Sequence, residues 1–318
     1  MMKTRVLTGS AILLAVALML LSRLLTLYVF DVFITICAVV ACIEIATTLT
    51  KANKPVNSMI ACSIPVVLYT LLLIGILTEM KLAYYFICLA CVLVFYFALT
   101  FVLAIVLKNK TQNEMILTRF KKNEYHYAVI KGLRTCFVVF YPAILFLSFN
   151  LINHFSEFVS VTAELEKGLN LFVTFMLLFV FVCTMLTDTF AMLTGALFKG
   201  PKLCPKISPK KTISGAIGGV VFGLIGTLLL FLIFNTNDNF VAVYEIYPKF
   251  SVFALIIMAF IGSVISQFGD IFASFIKRKA NVKDYGSFLP GHGGIMDRMD
   301  GMCWNAFFTF VFMCCVMF

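Results

Sequence analysis

Two stretches of this sequence carry charge in a pattern suited to phosphate chemistry. The first runs from Lys277 to Gly301 and reads KRKANVKDYGSFLPGHGGIMDRMDG. It holds Lys277 and Arg278, then Lys283 and Asp284, then the run Pro290-Gly291-His292-Gly293-Gly294, and finally Asp297, Arg298 and Asp300. Lysine and arginine are the natural partners of phosphate oxygens. Glycines allow backbone N–H groups to face an anion. Asp297 and Asp300 would share a face on a helix, and paired carboxylates beside phosphate-binding cations suit Mg²⁺, which takes one or two carboxylates plus substrate phosphates. The second stretch, Lys199–Lys211, reads KGPKLCPKISPKK and ends on Ser208, Lys210 and Lys211. Glycine and proline in both stretches signal turns and exposed backbone. His292 has a structural and a catalytic reading, and the residue alone does not decide between them.

Four carboxylates fall inside apolar runs: Asp31, Glu44, Asp188 and Asp270. Each would cost about 2.5–3.5 kcal/mol at the centre of a membrane helix, so each needs a reason. Asp31 and Glu44 lie near the ends of one run, where long or mobile side chains reach water. Asp188 lies with Thr184 and Gly195 on one face. Asp270 belongs to the series Ser263, Gln267, Asp270, Ser274, Lys277, spaced four, three, four and three residues apart. That spacing is one stripe of a helix. At about 1.5 Å per residue, Asp270 sits about 9 Å below the basic loop. The stripe reads either as a seam between packed helices or as the wall of a groove leading from the membrane to that loop. Gly215, Gly219 and Gly223 recur every fourth residue, the pattern of close helix packing; their other reading is approach of backbone to a ligand.

The elements that must position these residues are membrane helices. Of 318 residues 62% are hydrophobic and 13% charged, against about 45–50% and about 25% in soluble domains. A soluble core cannot hide that surface, so it faces lipid. Nine spans of all-α architecture are expected, at roughly 6–22, 25–47, 58–78, 82–107, 129–152, 169–198, 212–235, 251–276 and 303–318. Lys3 and Arg5 before an apolar run resemble a signal peptide, but a second run follows at once, so a retained first span is expected. We divide the chain into residues 1–128, with four spans, and residues 129–318, with five spans and the charged loops. With the N-terminus in the cytoplasm, nineteen lysines and arginines fall in cytoplasmic segments and four outside, which satisfies the positive-inside rule. Both charged stretches then face the cytoplasm.

The net charge of +10 lies in short loops between spans. Such charge orients helices and attracts anionic headgroups, so nucleic acid is not an expected partner. Eleven cysteines lie mostly inside apolar runs, without metal-ligand spacing or a disulfide framework.

The stretch Ser274–Asp300 resembles the C-terminal signature of the phosphatidate cytidylyltransferase (CDP-diacylglycerol synthase) family. The resemblance rests on Ser274, Lys277-Arg278, Lys283-Asp284, Gly286, Leu289-Pro290, His292-Gly293-Gly294, Asp297-Arg298 and Asp300. Asp188-Thr189-Phe190-Ala191 with Gly195, and Ile207-Ser208-Pro209-Lys210-Lys211-Thr212, are similar to two further motifs of that family. Ile213-Ser214-Gly215 stands where the family has Trp-Glu-Gly, so the acid of that position is missing. The resemblance implies the reaction of CTP with phosphatidic acid to CDP-diacylglycerol and pyrophosphate. It implies a Mg²⁺ centre on Asp270 and Asp297, assisted by Asp300, with room for a second metal ion. It further implies a homodimer embedded in membrane lipids, in the plasma membrane of a bacterium. Asp270, Asp297, Lys277, Arg278 and His292 are the expected catalytic residues. Asp188, Ser208, Lys210, Lys211, Ser274, Lys283, Asp284, Gly293, Gly294 and Arg298 are the expected substrate contacts. A cytidylyltransferase for another lipid phosphate, and a polytopic transporter, are the alternatives. A CDP-alcohol phosphotransferase is excluded because the residues after Asp300-Gly301 do not continue its motif.

Overall fold

The computed structural model describes residues 14, 16–23, 26–54, 56–106, 124–159, 163–247, 249–288 and 293–318. Eight helices among them are long and apolar enough to cross a membrane, and the protein is an all-α polytopic membrane protein. The expected first span, 6–22, lies largely outside the described residues, although 16–22 are helical.

The helices are α1 (Leu27–Lys51), α2 (Ser58–Leu77), α3 (Leu82–Val106), α4 (Glu124–Val138), α5 (Leu145–Asn153), α6 (Ala163–Phe198), α7 (Ile213–Phe234), α8 (Asp238–Ile246), α9 (Val252–Lys279) and α10 (Met296–Met317). A π-helical segment, Val139–Ile144, joins α4 to α5, so the two make one crossing, Ala128–Asn153. Pro142 lies inside that segment; a proline there has no N–H to donate to the regular helical ladder.

The chain packs as two compact units that interleave in sequence. One contains residues 1–147 and 279–296, the other 148–278 and 297–318. In the first, α1 packs on α2 and α3 on α4. In the second, α6 and α7 pack along their length through small residues. A Cβ added to Gly215 would lie 2.5 Å from the Ala191 carbonyl oxygen, and one on Gly219 would lie 2.7 Å from that of Thr187. The glycine stripe is therefore a helix–helix contact, the packing reading of the sequence. An aromatic cluster closes the other end, where Phe172 and Phe175 of α6 meet Phe240 of α8 and Phe250.

Three elements differ from the sequence expectation. The basic stretch 199–211 is not a plain loop: Lys202–Cys204 (β1) and Ser208–Thr212 (β2) pair as an antiparallel hairpin. The short helix α8 lies in the connection between α7 and α9, started by Asn237, whose side chain accepts the Asn239 N–H. The last span begins at Met296 and not at 303, so Asp297, Arg298 and Asp300 belong to the first turns of α10. Their charge made that turn look like loop; an acidic first turn is what a helix N-terminus favours. All eleven cysteines are free thiols.

Candidate active site

The charged residues of the second unit come together around the end of α9. The predicted stripe exists, and its two halves differ. Its deeper half is a seam between helices. Ser263 is fully buried with its Oγ 3.3 Å from Cys183 Sγ, and Gln267 Nε2 donates to the Ala216 carbonyl at 3.1 Å. Close by, Asn305 Nδ2 donates to Thr184 Oγ1 at 3.0 Å. The outer half carries charge. Ser274 Oγ donates to Asp270 Oδ1 at 3.4 Å, Asp270 Oδ2 pairs with Lys211 Nζ at 2.7 Å, and Lys277 Nζ pairs with Asp297 Oδ1 at 2.7 Å. The seam reading thus holds for the deeper half, and the outer half is where the charged side chains pair.

The hairpin sets Lys211. Side chains alternate along a strand, so Lys210 is exposed while Lys211 turns inward to Asp270 and reaches the Gln267 carbonyl at 3.5 Å. Thr212 ends the strand and caps α7, its Oγ1 accepting the Gly215 N–H at 3.1 Å. A Cβ on Gly195 would come within 2.7 Å of that same Oγ1, so the glycine lets the cap settle on α6. Ser214, at the position where the family's acid would stand, donates to the Lys199 carbonyl at 3.2 Å. It closes the hairpin's entry and adds no charge. Arg278 Nε donates to the Ile207 carbonyl at 3.3 Å, which ties the hairpin to the end of α9.

The two ion pairs differ in environment. The Lys277 and Asp297 side chains are 10% and 3% exposed, those of Lys211 and Asp270 24% and 33%. The first pair is therefore the one whose disruption leaves a charge stranded without water. Asp300 is buried, its Oδ1 accepting the Gly301 N–H at 2.8 Å. It lies within electrostatic reach of Asp270, Asp188 and Lys277. Asp188 has an exposed side chain within reach of Asp270, Lys211 and Arg298. Its sequence neighbours serve packing: Phe190 stacks on Phe222 at 3.8 Å.

Asp188, Lys211, Asp270, Ser274, Lys277, Arg278, Asp297, Arg298 and Asp300 are thus gathered in one unit, with Ser208 and Lys210 on the hairpin. Lys283, Asp284, Gly293 and Gly294 belong to the other unit. Lys283 and Asp284 are exposed there, and Gly293 has a φ of 84°, a conformation that favours glycine. His292, with Leu289, Pro290 and Gly291, lies outside the described residues. Asp31 and Glu44, expected to reach water from the helix ends, are instead buried. Each has an internal partner: Asp31 stands in reach of Arg23, and Glu44 accepts two backbone N–H groups.

Among the described residues no three His, Cys, Asp or Glu side chains form a metal-holding cluster. Mg²⁺ draws part of its shell from water and substrate phosphates, so Asp270 and Asp297 are the residues that could hold one. The donors available are carboxylate oxygens, the hard ligands that Mg²⁺ prefers. Asp270 and Asp297 are each neutralised by a lysine, so a cation and a lysine would exchange places on the same oxygens.

Residues 3–316 match the Cytidylyltransferase family, and the chain belongs to that family. The chain is similar to the phosphatidate cytidylyltransferase of Rickettsia conorii, 41% identical over 137 residues, which covers 42% of this chain and 56% of that protein. Over 158 residues it is 34% identical to the phosphatidate cytidylyltransferase of Brucella abortus, covering 50% of this chain and 54% of the relative. That of Helicobacter pylori is 35% identical over 83 residues, 26% of this chain and 30% of the relative. The matches span about half the length of these curated relatives or less.

Proposed function

We propose that this chain is a CTP:phosphatidate cytidylyltransferase, making CDP-diacylglycerol and pyrophosphate from CTP and phosphatidic acid in phospholipid biosynthesis. The observation that carries this reading is the pair of lysine–carboxylate contacts, Lys211–Asp270 and Lys277–Asp297, at one end of a membrane-spanning helix. Anionic substrates and a cation can each take one member of such a pair. The similarity to named phosphatidate cytidylyltransferases supplies the substrate class.

An oxygen of the lipid phosphate attacks the α-phosphorus of CTP. The new P–O bond forms as the bond from the α-phosphorus to the bridging oxygen breaks, and pyrophosphate leaves with that electron pair. The nucleophile is already an anion, so no strong general base is needed. Catalysis rests on alignment and charge neutralisation. Lys210, Lys211, Lys277, Arg278 and Arg298 neutralise the triphosphate and the lipid headgroup. Ser274 can turn its hydroxyl from Asp270 to a phosphate oxygen. Mg²⁺ held by Asp270 and Asp297, with Asp300 behind them, would supply further neutralisation on the nucleotide phosphates. Acyl chains stay in the bilayer, between helices. The excess of basic residues on one side supports a site on the cytoplasmic face, and the bacterial relatives support the plasma membrane.

The test is turnover by the purified protein in detergent, with CTP and phosphatidic acid, in Mg²⁺ and in EDTA. The reading expects CDP-diacylglycerol and pyrophosphate in equal amounts, only with Mg²⁺. Product from an isoprenoid or ether lipid phosphate, and none from phosphatidic acid, would replace the lipid. Uptake of labelled nucleotide into sealed vesicles without product would replace the enzyme by a transporter.

A further inference from the structure

A buried acid that the reaction does not use sits against the backbone of Gly286 and Gly294. Glu44 of α1 is 6% exposed. Its Oε1 accepts the Ile295 N–H at 3.0 Å and its Oε2 the Met296 N–H at 2.9 Å. These N–H groups open α10, where intrahelical acceptors are lacking and a carboxylate is favoured. The loop backbone also comes against the same carboxylate. A Cβ built on Gly294 would lie 2.5 Å from both Glu44 oxygens, and one on Gly286 would lie 2.8 Å from Oε1. Neither glycine has a positive φ, so chain conformation does not demand glycine at either place; the approach of Glu44 does. One turn on, Thr48 Oγ1 donates to the Tyr285 carbonyl at 3.0 Å, and Lys54 Nζ donates to that of Lys279.

We infer that Glu44 is a positioning residue: its carboxylate is the internal anion against which the backbone at Gly286 and at Gly294–Met296 is set, and Gly286 and Gly294 serve that contact and not the substrate. Glycine-rich backbone facing an anion is what the sequence suggested; here the anion belongs to the chain. The loop carries Lys283, Asp284 and Gly293, so the consequence for turnover rests on the cytidylyltransferase reading, whereas the contact itself does not.

Two experiments separate the two. In hydrogen exchange of the whole detergent-solubilised protein, without substrate, the Ile295 and Met296 amides are expected to be protected. Glu44→Gln keeps the size but turns an NH₂ toward N–H groups. It should speed exchange at those two amides at least tenfold while amides in the middle of α6 are unchanged. Unchanged exchange at 295 and 296 would overturn the inference, whatever the activity. The second experiment compares Gly286→Ala in two backgrounds by kcat and KM. Against native Glu44 the added methyl should lower kcat/KM at least tenfold. Against Glu44→Ala it should lower it less than twofold relative to Glu44→Ala alone. An equal loss in both backgrounds would assign Gly286 to the substrate and overturn the inference. Should Glu44→Ala not yield folded protein, Glu44→Asp, whose carboxylate is withdrawn by one methylene, gives the same comparison.

Discussion

Replacing Lys277 with methionine removes the ammonium from Asp297 and keeps most of the apolar stem. Asp297 would stay 3% exposed, with its charge facing a thioether. Breaking a buried pair from one side costs about 3–5 kcal/mol, because the remaining ion loses its counter-charge where water does not replace it. At about 2–4 °C per kcal/mol, the apparent Tm should fall by roughly 6–20 °C. A divalent cation changes the sign of the comparison. If Mg²⁺ binds as proposed, in the native protein it would compete with Lys277 for the Asp297 oxygens; in the variant it would meet no such competitor. At about a hundred times its Kd, a ligand adds about 2.7 kcal/mol, so Mg²⁺ or Mn²⁺ should return much of the lost stability to Lys277→Met and raise the native Tm far less. The double variant Lys277→Met/Asp297→Asn, with neither charge, should be more stable than Lys277→Met in EDTA. The assay is thermal unfolding in one detergent at one scan rate, with metal and with EDTA, since unfolding of such proteins is often irreversible. Equal Tm for Lys277→Met and the native chain in EDTA, or equal stabilisation of both by metal, would refute the reasoning.

Other variants test neighbouring parts. Asp297→Asn should lose at least 100-fold in turnover while still inserting and purifying as a monodisperse protein, measured by product formation beside size exclusion. Lys211→Met should change stability by no more than about 1 kcal/mol, because its pair with Asp270 is partly exposed, yet raise KM for CTP at least tenfold in steady-state kinetics. Thr212→Val removes the cap of α7 and should cost about 1 kcal/mol, read as a lower Tm. Gly215→Ala drives a methyl to 2.5 Å from the Ala191 carbonyl oxygen; separating α6 and α7 should cost about 1–3 kcal/mol, seen in the same assay.

Much of this architecture is written locally. Runs of about twenty apolar residues announce the spans, and the stripe from Ser263 to Lys277 follows from helical spacing alone. The fourfold glycine repeat announces the contact of α7 with α6. The parts that were not legible depend on pairing across distance. Nothing around Lys211 says that it will meet Asp270, because that depends on a hairpin inside a segment composed like loop. The start of α10 is hidden by Asp297, Arg298 and Asp300, whose charge lowers hydropathy, although an acid such as Asp297 in the first turn of a helix is favourable. Glu44 reads as a side chain reaching for water because its acceptor role depends on N–H groups some 250 residues onward. The glycine loop was recognisable as backbone built to face an anion, but the identity of that anion for Gly286 and Gly294 required the fold.

The most direct test of the proposed reaction follows atoms. CTP labelled with ³²P at the α position, in one reaction, and at the γ position, in another, is incubated with the purified protein, phosphatidic acid and Mg²⁺. The account predicts that α-label enters the lipid fraction as CDP-diacylglycerol and γ-label appears only in pyrophosphate, in equal amounts, with neither product formed by Asp297→Asn. Label from the γ position in lipid, or α-label that stays entirely in water-soluble nucleotide with folded native protein, would contradict it.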